Sequence, residues 1–269
     1  MFYNWTNYLK ENFDDFKNYV INEMINLYGE EYKEEIIERL DIVNFIFYGN
    51  TSLCIPLKNQ SKYEKQNIIY TTKPLKYTYP TKEFIKELVE EISISYTTVY
   101  DYNDNSLNHF ILFPLYSSDK QLIHEMIHAV TSQPLGLTDK GKYVSKTGLE
   151  NTYSHNGESL LEETITEIEA NIIYDSLRNK KIKPFIRELN SNTHVHSCYY
   201  NRFIPIVSDF YINNFNEITY ARFTLNKNKM YESINKEKYM KLLNNIDSYE
   251  KELKKIYEKK NNYKVKKLI

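Results

Sequence analysis

Residues 118–134 read SDKQLIHEMIHAVTSQP. Leu122, Ile123, Met126, Ile127 and Val130 recur at helical spacing and give the stretch an apolar back. Ser118 stands three residues before Gln121, the pattern by which two side chains cap a helix start reciprocally. Ser132-Gln133-Pro134-Leu135-Gly136 ends the helix. Inside it His124 and His128 are four residues apart, so both imidazoles leave the same face. Glu125 follows His124 and lies about 100° around the axis from it.

The flanking sequence builds outward from this helix. Residues 109–116 (HFILFPLY) read as a strand, and Pro114, which has no N–H, places that strand at a sheet edge. Residues 93–102 (SISYTTVYDY) are β-branched and aromatic and read as another strand, with a turn at Asp104-Asn105. A helix is expected at 82–92, with Thr81 as its N-cap. Trp5, Leu9, Phe13, Phe16, Val20 and Met24 predict a helix over 3–28 that stops at Gly29. Residues 31–48 read as a second helix, halted by Gly49-Asn50. Residues 51–80, with Pro56, Pro74 and Pro80, read as short strands and loops.

Beyond the central helix, 136–158 is polar and turn-rich and reads as a long excursion or lid. Ser159-Leu160-Leu161-Glu162 is a second capping box that opens a helix at 160–178. Past residue 184 the pattern is helical again, and Leu242, Ile246, Tyr249, Leu253 and Ile256 form an amphipathic seam.

The 269-residue chain carries 41% hydrophobic and 26% charged residues, ordinary values for a globular protein. Its 26 Tyr against a single Trp reflect a compositional bias toward Lys, Asn, Ile and Tyr. A net charge of −1 gives no bulk argument for nucleic acid or membrane partners. Residues 1–41 hold ten acidic and four basic side chains, and 251–269 hold eight Lys and two Glu. The basic tail reads as a solvated helix face, with partner binding through it as an alternative function. Cys54 and Cys198 do not make a disulfide framework and are expected to be reduced and buried. No secretory signal opens the chain and no run of about 18 apolar residues occurs. A cytoplasmic location is expected, with non-standard release left open.

The spacing His124-Glu125-x-x-His128 supplies two of the three protein ligands of a catalytic zinc and a carboxylate beside them. Zinc in such a site brings the pKa of a bound water to about 7, and Glu125 stands where it can take the proton. A third ligand is required. Thr131 and Pro134 stand where HExxHxxGxxH would need glycine and histidine, which excludes the metzincin pattern. The remaining source is a carboxylate on a following helix, and Leu160-Leu161-Glu162-Glu163-Thr164-Ile165-Thr166-Glu167 supplies candidates. Glu162 competes with Glu163 there, and its place in the capping box argues that it caps its helix.

Glu163-x-x-x-Glu167, taken with HEMIH, resembles the second-helix motif of gluzincin metallopeptidases, the thermolysin-like clan. The resemblance covers residues 108–175. It implies that Glu163 is the third zinc ligand and that Glu167 holds the imidazole of His124. Thr166, Glu167 and Ala170 also match an LNEGLTEYLA pattern seen in gluzincin-like bacterial proteins, with Thr164 in place of its glycine. The wide gap between His128 and Glu163 is similar to that of clostridial neurotoxin light chains. The Arg-x-x-Tyr pair of those toxins is absent. The GxMEN pattern of the large aminopeptidases is absent too, which favours an endopeptidase.

The resemblance implies an α+β, zincin-like fold: a small sheet, an active-site helix and a mostly helical C-terminal lobe. The expected organisation is a mostly helical region at 1–80, the catalytic core at 81–180 and a helical lobe at 181–269. It also implies one Zn²⁺ per chain and an extended polypeptide substrate paired along the edge strand 109–116. Candidate donors to the developing oxyanion are Tyr153, His155, His194, His196 and Tyr200. Tyr153 precedes Glu163 at a spacing close to that of a thermolysin active-site tyrosine, and Tyr200 opens a helix where related proteins carry one. A zinc protein without catalysis is the other alternative. Glu125 argues against it, because a purely structural site needs no base.

Overall fold

In the computed structural model, the described residues are 5–50, 67–73, 95–101, 106–115, 117–137, 143–149, 156–185, 197–224 and 226–266. The helix expected at 82–92 lies outside them, as do Cys54, Tyr153, His155, His194, His196 and parts of the 136–158 excursion.

Helix α1 (Trp5–Tyr28) buries Leu9, Phe13, Phe16, Val20 and Met24 along one stripe. Gly29 ends it at φ 113°, a left-handed-side conformation that glycine adopts without penalty. Helix α2 (Lys33–Ile42) buries Ile36 and Leu40, one turn apart. The second helix was expected to run over 31–48, but it stops at Ile42 and the chain continues as strand β1 (Val43–Asn50). Val43, Phe45, Ile46, Phe47 and Tyr48 are all buried, so this run has no exposed face. Residues of β-branched and aromatic type, covered on both sides, suit the interior of a sheet.

That sheet contains β1 together with β2 (Asn67–Thr71), β3 (Ser95–Asp101) and β4 (Ser106–Pro114), in the order β2-β1-β4-β3. β1 is antiparallel to β2 and parallel to β4, and β3 is antiparallel to β4. The expected edge position of 109–116 is therefore wrong, because β4 is flanked on both sides and β3 is the terminal strand among the described ones. Pro114 is compatible with an inner strand because it is the last residue of β4. The described β3 register ends at Ser95↔Leu112, short of Pro114, and Leu115 N–H resumes the ladder to Tyr48 O at 2.8 Å.

Helix α3 (Asp119–Thr131) follows β4 and packs under the sheet. Gln121 Oε1 accepts the Ser118 N–H at 3.0 Å, as the capping pattern predicts. At its other end Arg39 donates to Val130 O at 2.5 Å and to Phe223 O at 3.1 Å. The chain leaves α3 directly into an antiparallel ribbon, β5 (Ser132–Leu137) and β6 (Tyr143–Thr147). Part of the expected excursion is thus regular structure.

Helix α4 (Asn156–Asn179) is the spine of the molecule. Its Leu160, Leu161 and Ile165 belong to one hydrophobic cluster, and its Ala170, Ile173 and Leu177 belong to the other. The second cluster comprises α1, α2, the sheet and α3, so the N-terminal helices share a core with the central helix. The first cluster is completed by a C-terminal set of helices: α5 (Ser197–Tyr200), α6 (Ile204–Asn213), α7 (Phe215–Thr224), α8 (Lys227–Ser233) and α9 (Lys236–Lys266). On α9 the seam buries Leu242, Ile246 and Leu253 but ends before Ile256, which is 49% exposed. Among the described residues no helix is long and apolar enough to cross a membrane.

The second capping box does not form. α4 begins before Ser159, and Glu162 sits inside it, buried and turned inward. Glu162 accepts the Leu149 N–H at 2.8 Å and two donors of Arg222 at 3.0 and 2.6 Å. Arg222 reaches Glu169 at 2.5 Å with its remaining arm. Glu169 also accepts the hydroxyls of Tyr28 at 2.7 Å and Tyr211 at 3.1 Å. One fully buried guanidinium thereby ties α4 to α1, α6, α7 and the turn after β6. Gly148 is part of this fit: at φ 53°, a Cβ added to it would strike the Glu162 carboxylate at 2.1 Å.

Candidate metal centre

Two helices contribute side chains to one point. From α3, His124 and His128 project together, as their four-residue spacing requires. From α4, Glu163 meets them. His124 Nε2 and His128 Nε2 are 3.1 Å apart, Glu163 Oε2 is 3.2 Å from His124 Nε2, and Glu163 Oε1 is 3.4 Å from His128 Nε2. These separations bear on whether a metal fits. Ligands about 2.0–2.1 Å from a tetrahedral zinc lie about 3.3 Å from one another. The three residues form a group that could hold a metal ion, with one ligand atom from each and all of these atoms within 4.8 Å of one another. The imidazoles are buried while the Glu163 side chain is 28% exposed, so the group opens to solvent on the carboxylate side.

The surroundings hold these groups in place. Glu167, one turn after Glu163, is buried, and its Oε2 is 3.2 Å from His124 Nδ1. That contact leaves Nε2 to face the cluster. Lys120 Nζ lies 2.5 Å from the other oxygen of Glu167. His128 Nδ1 is buried with no partner among the described residues. Glu125 reaches the sheet, where its Oε2 accepts the Tyr96 N–H of β3 at 2.6 Å, and its charge acts on both histidines. The Tyr96 hydroxyl shares a 2.8 Å hydrogen bond with His109 Nδ1. Burial and the charge of Lys73 lower the His109 pKa to about 4, so this imidazole stays neutral at physiological pH.

Burial opposes a charge on His124. Hydrogen bonds that the imidazolium donates to Glu163 and Glu167 and the charges of Glu125 and Glu163 outweigh it and raise its pKa to about 10. Burial would likewise raise the Glu163 carboxyl, but the two histidines hold it well below the usual carboxylate range. Glu167 is lowered against its burial by His124 and Lys120.

Of the oxyanion candidates, Tyr200 is placed at the cluster. Its ring stacks on His124 with centroids 6.1 Å apart, and the charge of Glu163 acts on its hydroxyl. Burial and the charges of Glu163 and Glu125 push its phenol pKa up, so it remains a donor. Tyr153, His155, His194 and His196 fall outside the described residues. Sequence reasoning did not find Tyr96, Lys120 or Arg222. Lys120 had a local signal, standing one turn before His124 on the same helix face. Tyr96 and Arg222 had none, because their contacts are made across 29 residues and across 53 to 60 residues of chain.

A comparison with known protein families, curated proteins and solved structures finds no match for this chain.

Proposed function

We propose that the chain is a zinc-dependent endopeptidase with a zincin-type arrangement of sheet, α3 and α4. The observation that carries this reading is the convergence of His124, His128 and Glu163, one ligand atom from each within 4.8 Å of the others, with Glu125 on the position after His124 in the same helix. Two nitrogens and one carboxylate oxygen are the donor set of a catalytic zinc, which keeps one position open, whereas a structural zinc has four protein ligands. Bound there, zinc would supply Lewis acidity and lower the pKa of water in its open position to about 7.

The residues of the chain do the rest. Glu125 is the general base that accepts a proton from the attacking water and returns it to the leaving amine. The Tyr96 N–H fixes one carboxylate oxygen of Glu125 and leaves the other for the proton. Tyr200 donates to the oxyanion side of the reacting carbonyl. β3, as the terminal described strand beside Glu125, is the edge along which an extended polypeptide pairs.

The test is cleavage of an unfolded polypeptide. Activity is expected to vanish when a chelator has removed zinc and to return on addition of about one equivalent per chain. Undiminished cleavage by protein shown to be zinc-free would contradict the proposal, as would inertness of the zinc-loaded protein toward a diverse peptide library.

Zinc requires His124 as the neutral imidazole, and the metal-free protein holds its pKa at about 10. Zinc binding at pH 7 is therefore expected to release at least about one proton per ion, with His128, whose pKa is also raised, adding to it. Calorimetry in buffers of different ionisation enthalpy measures this, and proton-neutral binding would contradict it. The same shift has a stability consequence with a definite sign. A raised histidine pKa stabilises the metal-free fold fully below the unfolded value near 6.5, and that contribution is lost as pH rises through about 10. The lowered carboxyls of Glu163 and Glu167 act oppositely, and their contribution is lost on acidification.

A further inference from the structure

We propose that Lys120 is a positioning residue of the metal centre, acting on His124 through Glu167; this rests on the zinc reading above. Lys120 and His124 are four residues apart on α3 and share its face. Glu167 and Asn171 are four residues apart on α4 and share the opposing face. Lys120 Nζ bridges the two helices, 2.5 Å from Glu167 Oε1 and 3.3 Å from Asn171 Oδ1. The second Glu167 oxygen is then left 3.2 Å from His124 Nδ1. The order Asn171, Lys120, Glu167, His124 is a single chain of contacts ending on a metal ligand.

The bridge is not an ordinary surface ion pair. The Lys120 side chain is 15% exposed and that of Glu167 is 4% exposed. Most of the solvent screening that makes surface pairs nearly worthless is absent here. A carboxylate held at one oxygen by an ammonium presents the other in one orientation. An unheld one can turn, or offer both oxygens to the histidine in alternation. Charge also balances: a divalent cation, Glu125, Glu163, Glu167 and Lys120 sum to zero.

Two effects of Lys120 on zinc have opposite signs, which makes the inference testable. As a bare charge near a cation, Lys120 repels zinc, and its removal tightens binding. As the holder of Glu167, its removal loosens the outer shell, and loss of such partners weakens metal binding by about 10- to 100-fold.

The experiment is zinc affinity, measured by competition with a chromophoric chelator, on wild type, Lys120→Met, Lys120→Arg, Glu167→Gln and the double variant Lys120→Met/Glu167→Gln. Met matches the Lys stem without its ammonium, and a thermal melt of each variant records its folding. Weaker binding by Lys120→Met, about tenfold, is expected. Lys120→Arg should recover most of it. In the Glu167→Gln background, Lys120→Met should weaken binding no further, whereas a purely structural role would weaken it equally in both backgrounds. Tighter or unchanged binding by Lys120→Met, or the same loss with and without Glu167, overturns the proposal. A wild-type protein that binds no zinc overturns the metal reading itself, and this inference with it.

Discussion

Glu125→Gln is expected to lower kcat/KM for polypeptide cleavage by about 10²- to 10⁴-fold, the usual contribution of a positioned general base. Zinc content should not change, because Glu125 is not one of the His124, His128 and Glu163 group and its Oε2 is bound to the Tyr96 N–H. The side-chain oxygen of glutamine can still accept that N–H, so β3 keeps its hold on α3. What glutamine cannot do is take a proton from water at neutral pH. The loss should therefore fall mainly on kcat, as expected for an interaction made in the transition state. Steady-state kinetics with zinc analysis of the same sample checks this. A variant that cleaves at the wild-type rate would remove Glu125 from the mechanism, and one that loses its zinc would make Glu125 a structural residue.

Arg222→Met should be among the most destabilising single substitutions in the chain. The guanidinium is wholly buried, and it is the cation between Glu162 and Glu169. Burial disfavours its charge, but the two carboxylates more than restore it, and its pKa stands well above the ordinary arginine value. Removing it leaves two buried carboxylates uncompensated, at a cost of about 3–5 kcal/mol. For a chain of this size that corresponds to a fall in Tm of about 10 °C. Glu162→Gln added to Arg222→Met should restore part of the loss, because it removes one of the stranded charges. Thermal melts of the three proteins decide the matter. A shift of only a degree or two would mean that the network contributes little. The consequence is expected to reach the proposed metal centre, since Glu162 immediately precedes Glu163 on α4 and is bound to Arg222.

What was legible in the sequence was mainly local. His124, His128 and Glu125 lie within one helical turn and a half, and the ends of α3 follow from Ser118, Gln121 and the turn residues after Thr131. Glu163 and Glu167 are again one turn apart on one helix, so their shared face was readable before any fold was known. The errors arose where distant segments decide the outcome. Val43 to Tyr48 continues the apolar character of α2, and only the strands on either side make it extended. Pro114 argued for an edge, yet a proline at the last position of a strand is not asked for a donor by the described register. Glu162 matched a capping box, but the helix starts earlier and Arg222, 60 residues away, claims the carboxylate.

The ligand set is what everything else depends on, and zinc K-edge X-ray absorption of protein loaded with one equivalent reads it directly. The account predicts a shell of nitrogen and oxygen at about 2.0–2.1 Å with the multiple scattering of two imidazoles, and loss of stoichiometric zinc in Glu163→Ala. A sulfur shell at about 2.3 Å, which would place Cys54 or Cys198 on the metal, or an unchanged spectrum in Glu163→Ala, would contradict it.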